Sequence, residues 1–166
     1  MKLSIKKIDA FIFDFDGVIT DNLVYVDQNG KESVSCSRAD GLAFKVLHQL
    51  KKPSFILSTE NNPVVSMRAQ KLKVTALQGI NNKLEALNNL TNIHKFDLKD
   101  ILYVGNDLND YYAMRACGYS VCPSDSHSKI REISDIILGV NGGKGVVRCL
   151  LEDIFNLDFL EILYKS

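Results

Sequence analysis

Two aspartates, Asp14 and Asp16, stand two positions apart in the stretch FIFDFDGVIT at residues 11–20. Their neighbours are Phe11, Ile12, Phe13 and Phe15, and Gly17 follows. A carboxylate in so apolar a stretch is expensive to bury unless it is paired or holds a metal. Three later places also carry polar residues beside apolar runs. Ser58 follows PSFIL, Lys83 follows QGINN, and Asn106, Asp107 and Asp110 lie in GNDLND. Oxygen donors with few competing nitrogens or sulfurs suit Mg2+. A serine hydroxyl and a lysine ammonium suit a phosphoryl group. The set therefore reads as a metal, a phosphate, and a carboxylate able to attack phosphorus.

Something must bring these residues together. Residues 8–14 (IDAFIFD) are short, β-prone and nearly all apolar, the pattern of a buried strand. Residues 23–36 read as a hairpin, two β-prone runs around Asn29-Gly30. Residues 40–51 carry apolar side chains at helical spacing. Strands are then expected at 53–58, 74–78, 100–105, 119–123 and 135–138, the last at an edge. Helices are expected at 63–72, 82–93, 107–118 and 126–134. A glycine loop, NGGKG at 141–145, leads into a final helix ending near residue 157. Strand and helix alternate, with one hairpin after the first strand. The expected fold class is α/β: one domain over residues 1–166, with a doubly wound, mostly parallel sheet and an inserted hairpin at about 23–37. In such sheets a ligand sits beyond the carboxyl ends of the strands, near the switch in strand order. The polar residues singled out above fall at those ends.

Composition narrows the partners. Lys plus Arg equals Asp plus Glu over 166 residues, so the formal net charge is zero. That argues against nucleic acid or an anionic membrane surface as partner, and leaves room for a local anion site. The leading segment has neither a long apolar run nor a small-residue cleavage site, so no signal peptide or membrane span is expected. Cys36, Cys117, Cys122 and Cys149 form no CxxC pair and no zinc spacing. They read as reduced thiols of a cytoplasmic protein.

DFDGVIT resembles the first signature of the haloacid dehalogenase superfamily of phosphotransferases. Ser58, Lys83 and GNDLND stand where that superfamily has its second, third and fourth motifs. The resemblance covers almost the whole chain and implies the following roles. Asp14 is the nucleophile that forms an aspartyl-phosphate, and Asp16 is the acid toward the leaving oxygen and then the base toward water. Ser58 and Lys83 bind the phosphoryl group. Thr20 and Asp110 support them. Mg2+ is held by Asp14, by Asp16 through its carbonyl, and by the fourth motif. There the family usually has an aspartate directly after the glycine, and this chain has Asn106. Either the Asn106 amide oxygen coordinates, without a negative charge, or Asp107 turns in.

The gaps from Asp16 to Ser58 and from Ser58 to Lys83 are too short for a cap domain. The motifs RADG at 38–41, MRAQKL at 67–72, QG before Lys83 and GGKGVVR at 142–148 resemble a capless, tetrameric subfamily. It contains the phosphatases of 3-deoxy-manno-octulosonate 8-phosphate and of nonulosonate 9-phosphates. The resemblance implies a sugar acid phosphate as substrate and a homotetramer closing the site. Octulosonate enzymes of the group commonly have arginine two residues after the hydroxyl residue of the second motif. Here that place is Glu60, with Lys71 in the following helix. This favours a nine-carbon acid, with the eight-carbon acid as the alternative. Arg68 and Lys71 are candidate partners of the sugar carboxylate, acting across a subunit interface. Two other classes stay open. One is a weakly active assembly module, which Asn106 favours. The other is a phosphoacceptor signalling domain, which the DxDG order disfavours.

Overall fold

The computed structural model describes residues 3–165. Residues 1, 2 and 166, which belong to the expected leading segment and to the chain's last position, lie outside it. The chain enters β1 (Ala10–Phe13), then a tight turn, then the hairpin β2 (Thr20–Val26) and β3 (Glu32–Cys36). There follow α1 (Ala39–Gln49), β4 (Ser54–Leu57), α2 (Val64–Leu72), β5 (Thr75–Leu77) and α3 (Lys83–His94). The second half runs β6 (Ile101–Val104), α4 (Tyr111–Ala116), β7 (Tyr119–Cys122), α5 (Ser128–Ile133), β8 (Ile136–Ile137), α6 (Val146–Cys149) and α7 (Phe159–Tyr164).

Six strands pair in parallel in the order β5-β4-β1-β6-β7-β8, and β2 and β3 form a separate antiparallel ribbon. The fold class read from the residues holds: α/β, doubly wound, with the hairpin inserted after the first strand. The order reverses between β1 and β6, because the chain first builds outward through β4 and β5 and then returns to the other side of β1. That reversal leaves a crevice where β1 ends. No separate cap domain is present among the described residues.

Alternation along each strand divides the core into two layers. Phe11, Phe13, Ile56, Leu102 and Val104 face one side, against Phe44 and Leu47 of α1 and Val146 and Val147 of α6. Ala10, Ile12, Leu57, Ile101 and Tyr103 face the other, against Leu87 and Leu90 of α3 and Met114 of α4. Strands covered on both faces read as continuous apolar runs, which is why they are recognisable by composition alone.

Three local details extend the expected pattern. The hairpin turns around Asn29-Gly30 as expected, but not as a two-residue turn. Asp27 N–H and the Lys31 carbonyl bond at 3.0 Å, and the Asp27 carboxylate accepts from the N–H groups of Asn29 and Lys31, so the loop is wider. The expected final helix widens after Cys149, where the Phe155 N–H reaches the Leu150 carbonyl five residues back. A further helix, α7, then starts at an Asp158 cap whose carboxylate accepts from Glu161 N–H. All four cysteines are free thiols. No helix among the described residues is long and apolar enough to cross a membrane.

Candidate active site

β1 delivers Asp14 to the crevice. Its N–H donates to the Val104 carbonyl at 2.9 Å, the last rung tying β1 to β6. Beyond it the backbone leaves the sheet in a turn that needs Gly17 at φ +79°. Asp14 is 4% exposed. Its Oδ1 accepts from Phe15 N–H at 2.6 Å and meets Lys83 Nζ at 2.6 Å. Lys83 is buried at the first position of α3, whose free N–H groups are capped by the Asn82 side chain. The same ammonium reaches Asp110 Oδ1 at 2.7 Å. Asp110 is 0% exposed, so it is no solvated first-turn acid. Its Oδ1 also accepts from the Tyr103 hydroxyl at 2.9 Å, and its Oδ2 from Asn106 N–H at 2.9 Å. One buried cation thus sits between two buried carboxylates.

Electrostatics follow from that arrangement. Burial pushes the Asp14 carboxyl well up from its ordinary range, and the Asp110 charge adds to this, while Lys83 opposes it. Burial by itself would lower the Lys83 ammonium, but Asp14 and Asp110 outweigh it and the group is held charged. Asp16 lies at the crevice mouth, partly buried. Burial raises its carboxyl, and the Thr20 hydroxyl, donating to Asp16 Oδ1 at 3.2 Å, pulls the other way. Thr20 Oγ1 in turn accepts from the N–H groups of Gly17 and Asn22, so it ties the whole turn together.

A cavity of about 310 Å3 opens here, with Asp14, Asp16, Asn22, Thr59, Asn106 and Asp107 among its walls. Ser58 is buried behind Thr59, where its hydroxyl oxygen accepts from Glu60 N–H at 3.1 Å. Asn106 is buried, and its Oδ1 has no hydrogen-bond partner among the described residues. Its amide packs on Gly17, where a Cβ would lie 1.9 Å from Asn106 Nδ2. Asp107 is exposed, and its carboxylate closes its own turn by accepting from Leu108 N–H at 2.7 Å. An unpartnered buried oxygen beside two carboxylates is the donor set a hard divalent cation takes.

The structure brings Asp14, Asp16, Thr20, Ser58, Lys83, Asn106, Asp107 and Asp110 to one end of the sheet. It does not bring Lys71 to Glu60. Glu60 precedes α2, and its Oε1 accepts from Asn62 N–H at 2.7 Å. Lys71 is in the last turn of α2, beside His48 and Leu163 on another face. The helix length separates the two, so within one chain Lys71 does not pair with Glu60. Arg68 donates to the Ser37 carbonyl at 2.7 Å, at the root of the hairpin. Tyr103 was missed. A hydroxyl inside the run ILYV was its one signal, since a buried phenol needs a partner.

Comparison with known proteins agrees with the geometry. Residues 58–150 match the model of the haloacid dehalogenase-like hydrolase family. The chain is 31% identical over 144 residues to the 3-deoxy-D-manno-octulosonate 8-phosphate phosphatase KdsC of Escherichia coli K12, covering 86% of this chain and 77% of that protein. A HAD family hydrolase structure from Streptomyces avermitilis superposes with a TM-score of 0.92 at 36% identity, over 96% of this chain and 91% of the other. The 3-deoxy-D-manno-octulosonate 8-phosphate phosphatase of Moraxella catarrhalis, solved with a magnesium ion, a phosphate ion and a KDO molecule, gives 0.87 at 31% identity over 91% and 87%. The chain belongs to the haloacid dehalogenase-like hydrolases. Within them it is a phosphatase.

Proposed function

We propose that the chain hydrolyses the phosphomonoester of a 2-keto-3-deoxy sugar acid through an aspartyl-phosphate on Asp14, with a nine-carbon 9-phosphate as its preferred substrate. The observation that carries this reading is Asp14 itself: a buried carboxylate at the switch point, held by Lys83 and facing a cavity it shares with Asp16. In the first step an Asp14 oxygen attacks phosphorus and the bond from phosphorus to the sugar oxygen breaks. That oxygen takes the Asp16 proton. In the second step water attacks the same phosphorus, gives its proton to Asp16, and the phosphorus–Asp14 bond breaks. Inorganic phosphate leaves and both carboxyl groups return to their starting states. A carboxyl raised by burial keeps its proton nearer neutral pH, which suits Asp16 to the donor role.

Lys83 neutralises the approaching anions, and the free hydrogen of the Ser58 hydroxyl is available to a phosphoryl oxygen. Asp14, the Asp16 carbonyl and the unpartnered Asn106 Oδ1 would hold Mg2+, with Asp107 as the less suited neighbour because its carboxylate already caps its own turn. When bound, the ion supplies positive charge against the phosphoryl oxygens. Asn106 adds no negative charge of its own, so it would attract the cation less than an aspartate there, while adding no repulsion toward the anionic substrate.

Glu60 supports the nine-carbon preference. It is held beside the hairpin by Asn62, whose side-chain amide also donates to Glu32 at 3.0 Å. An acid so placed accepts from substrate hydroxyls, where an arginine would pair with a carboxylate. The eight-carbon acid is the second reading, favoured by the names of the relatives above. Comparison of kcat/KM for a nonulosonate 9-phosphate and for 3-deoxy-manno-octulosonate 8-phosphate tests the choice. Glu60→Arg is expected to lower the nine-carbon value about ten- to a hundredfold more than the eight-carbon value, the worth of one charged hydrogen bond. Equal losses would remove Glu60 from specificity. A wild-type preference for the eight-carbon acid would overturn the substrate while leaving Asp14 untouched.

A further inference from the structure

The glycine loop at residues 141–145 has no role in the chemistry above, yet it presses on the turn that carries Asp16. Gly142 lies against the Gly17 carbonyl, where a Cβ would come within 2.3 Å of the oxygen. Gly143, at φ +68°, lies against the next bend, where a Cβ would come within 2.4 Å of Asp21 N and 2.6 Å of Thr20 C. Its N–H donates to the Val18 carbonyl at 3.0 Å. The loop backbone therefore touches the turn on both sides of Thr20, whose hydroxyl is, among the described residues, the one side-chain group bonded to the Asp16 carboxylate. That bond is 3.2 Å long and Asp16 is only partly buried, so the carboxylate depends on the backbone beneath it for its aim.

Something must hold the loop in its turn. The Gly142 N–H donates to Asp125 Oδ1 at 2.9 Å. Asp125 belongs to the segment after β7, which is fixed at both ends. Ser124 N–H donates to the Val140 carbonyl at 3.0 Å, and His127 N–H to the Asn106 carbonyl at 2.9 Å. Asp125 is exposed and is not among the walls of the cavity at Asp14, so catalysis does not account for it. A loop that merely led into α6 would not need two consecutive glycines seated within contact of the backbone at 17–21.

We propose that Asp125 and Gly142 are positioning residues: Asp125 pins the glycine loop, and the loop braces the turn that aims the Asp16 proton at the leaving oxygen. The inference rests on the reading of Asp16 as that donor. Its signature is selectivity for the leaving group. A sugar alkoxide needs a proton to depart, whereas 4-nitrophenolate leaves without one. The value of kcat/KM reports the phosphoryl transfer from substrate, so a later hydrolysis step does not blur it.

The experiment compares kcat/KM on 3-deoxy-manno-octulosonate 8-phosphate and on 4-nitrophenyl phosphate for wild type, Gly142→Ala, Asp125→Ala, Asp125→Asn and Asp16→Asn. Misplacement by about an ångström costs on the order of a hundredfold, so Gly142→Ala is expected to lose about that much on the sugar ester, Asp125→Ala about tenfold, and both clearly less on the aryl ester. Asp125→Asn is expected to recover the wild-type ratio, because its amide oxygen accepts the same N–H. Equal losses on both esters, no loss in either variant, or an Asn as impaired as the Ala would overturn the inference. Should Gly142→Ala fail to fold, the Asp125 pair decides. If Asp16→Asn itself lowers both esters equally, the donor reading falls and the brace with it. Selectivity in Asp16→Asn alone removes the brace and leaves the donor.

Discussion

Lys83 is the residue on which the site turns, because its single ammonium pairs with both Asp14 and Asp110 out of contact with water. Removing one partner of such a group leaves an uncompensated charge, whereas an amide of the same shape keeps most of the packing. Asp14→Asn is therefore expected to fold and to keep its oligomeric state while losing all measurable turnover. Phosphate release from a sugar acid phosphate checks this, and a variant retaining a tenth of wild-type activity would exclude Asp14 as the nucleophile. Asp16→Asn is expected to cost at least about a hundredfold, the lower end for an acid–base group. The carboxylates, Ser58 and Lys83 were legible because each titratable or hydroxylated residue follows an apolar run that must end at the same edge of a parallel sheet. Tyr103 was not, because a phenol in a strand counts as apolar until its partner is seen. The choice between Asn106 and Asp107 was not legible either. Adjacent residues at a helix start differ in direction, and only the folded chain shows one amide turned inward and one carboxylate turned back onto the Leu108 N–H.

At the scale of elements, the parallel strands and the longer helices packed on them were legible from apolar period and length, since burial on both faces leaves little freedom of composition. Two features of the last part of the chain were not. The six-residue α7 has too few residues to display a period, and the widening after Cys149 depends on how Leu150, Leu151 and Phe155 pack. One contact between elements has a pH consequence. Asp40, 0% exposed in α1, accepts from Arg148 N–H at 3.0 Å at the start of α6, and its other oxygen has no partner among the described residues. Burial raises its carboxyl from 3.8 to about 6, against the opposing backbone N–H groups of Arg148 and Val147 and the Arg68 charge. The folded state thus holds a proton that the unfolded state has already released. The stabilisation is full below about 3.8 and is lost as pH rises through about 6. Asp40→Asn does not titrate yet keeps an oxygen for Arg148. The wild-type Tm minus the variant Tm is expected to fall as pH rises from 4 to 6, by an amount on the order of 2–3 kcal/mol in stability. A difference that stays flat or rises over that window would show that Asp40 is not buried as a proton-binding group.

The whole molecule presents an unpaired ribbon. Leu23, Val24, Tyr25 and Val26 of β2 are 50–63% exposed, and an isolated two-stranded hairpin is marginal in water. Four consecutive exposed apolar residues on one projecting element mark an interaction surface. With no cap domain among the described residues, we propose that the hairpins of four copies meet and that a neighbouring copy completes each site. Arg68 gives this proposal a direct test. Within its own chain it is bonded to the Ser37 carbonyl at the hairpin root and is not part of the cavity wall at Asp14. If it serves a neighbour's site, two inactive variants can rescue each other. Tetramers of Asp14→Asn and of Arg68→Ala are each expected to show little turnover of the sugar acid phosphate. Unfolding and refolding them together in equal amounts places intact Asp14 sites beside intact Arg68 donors in part of the population, and activity is expected to reappear in that mixture. Recovery of about a quarter of the wild-type rate follows if each site takes Asp14 from one copy and Arg68 from one neighbour drawn at random, the effect resembling two sites joined only through assembly. Light scattering on the same mixture must report tetramers. Absence of recovery in tetramers would place Arg68 in the service of its own chain, and an active monomer at micromolar concentration would remove the assembly from the function altogether.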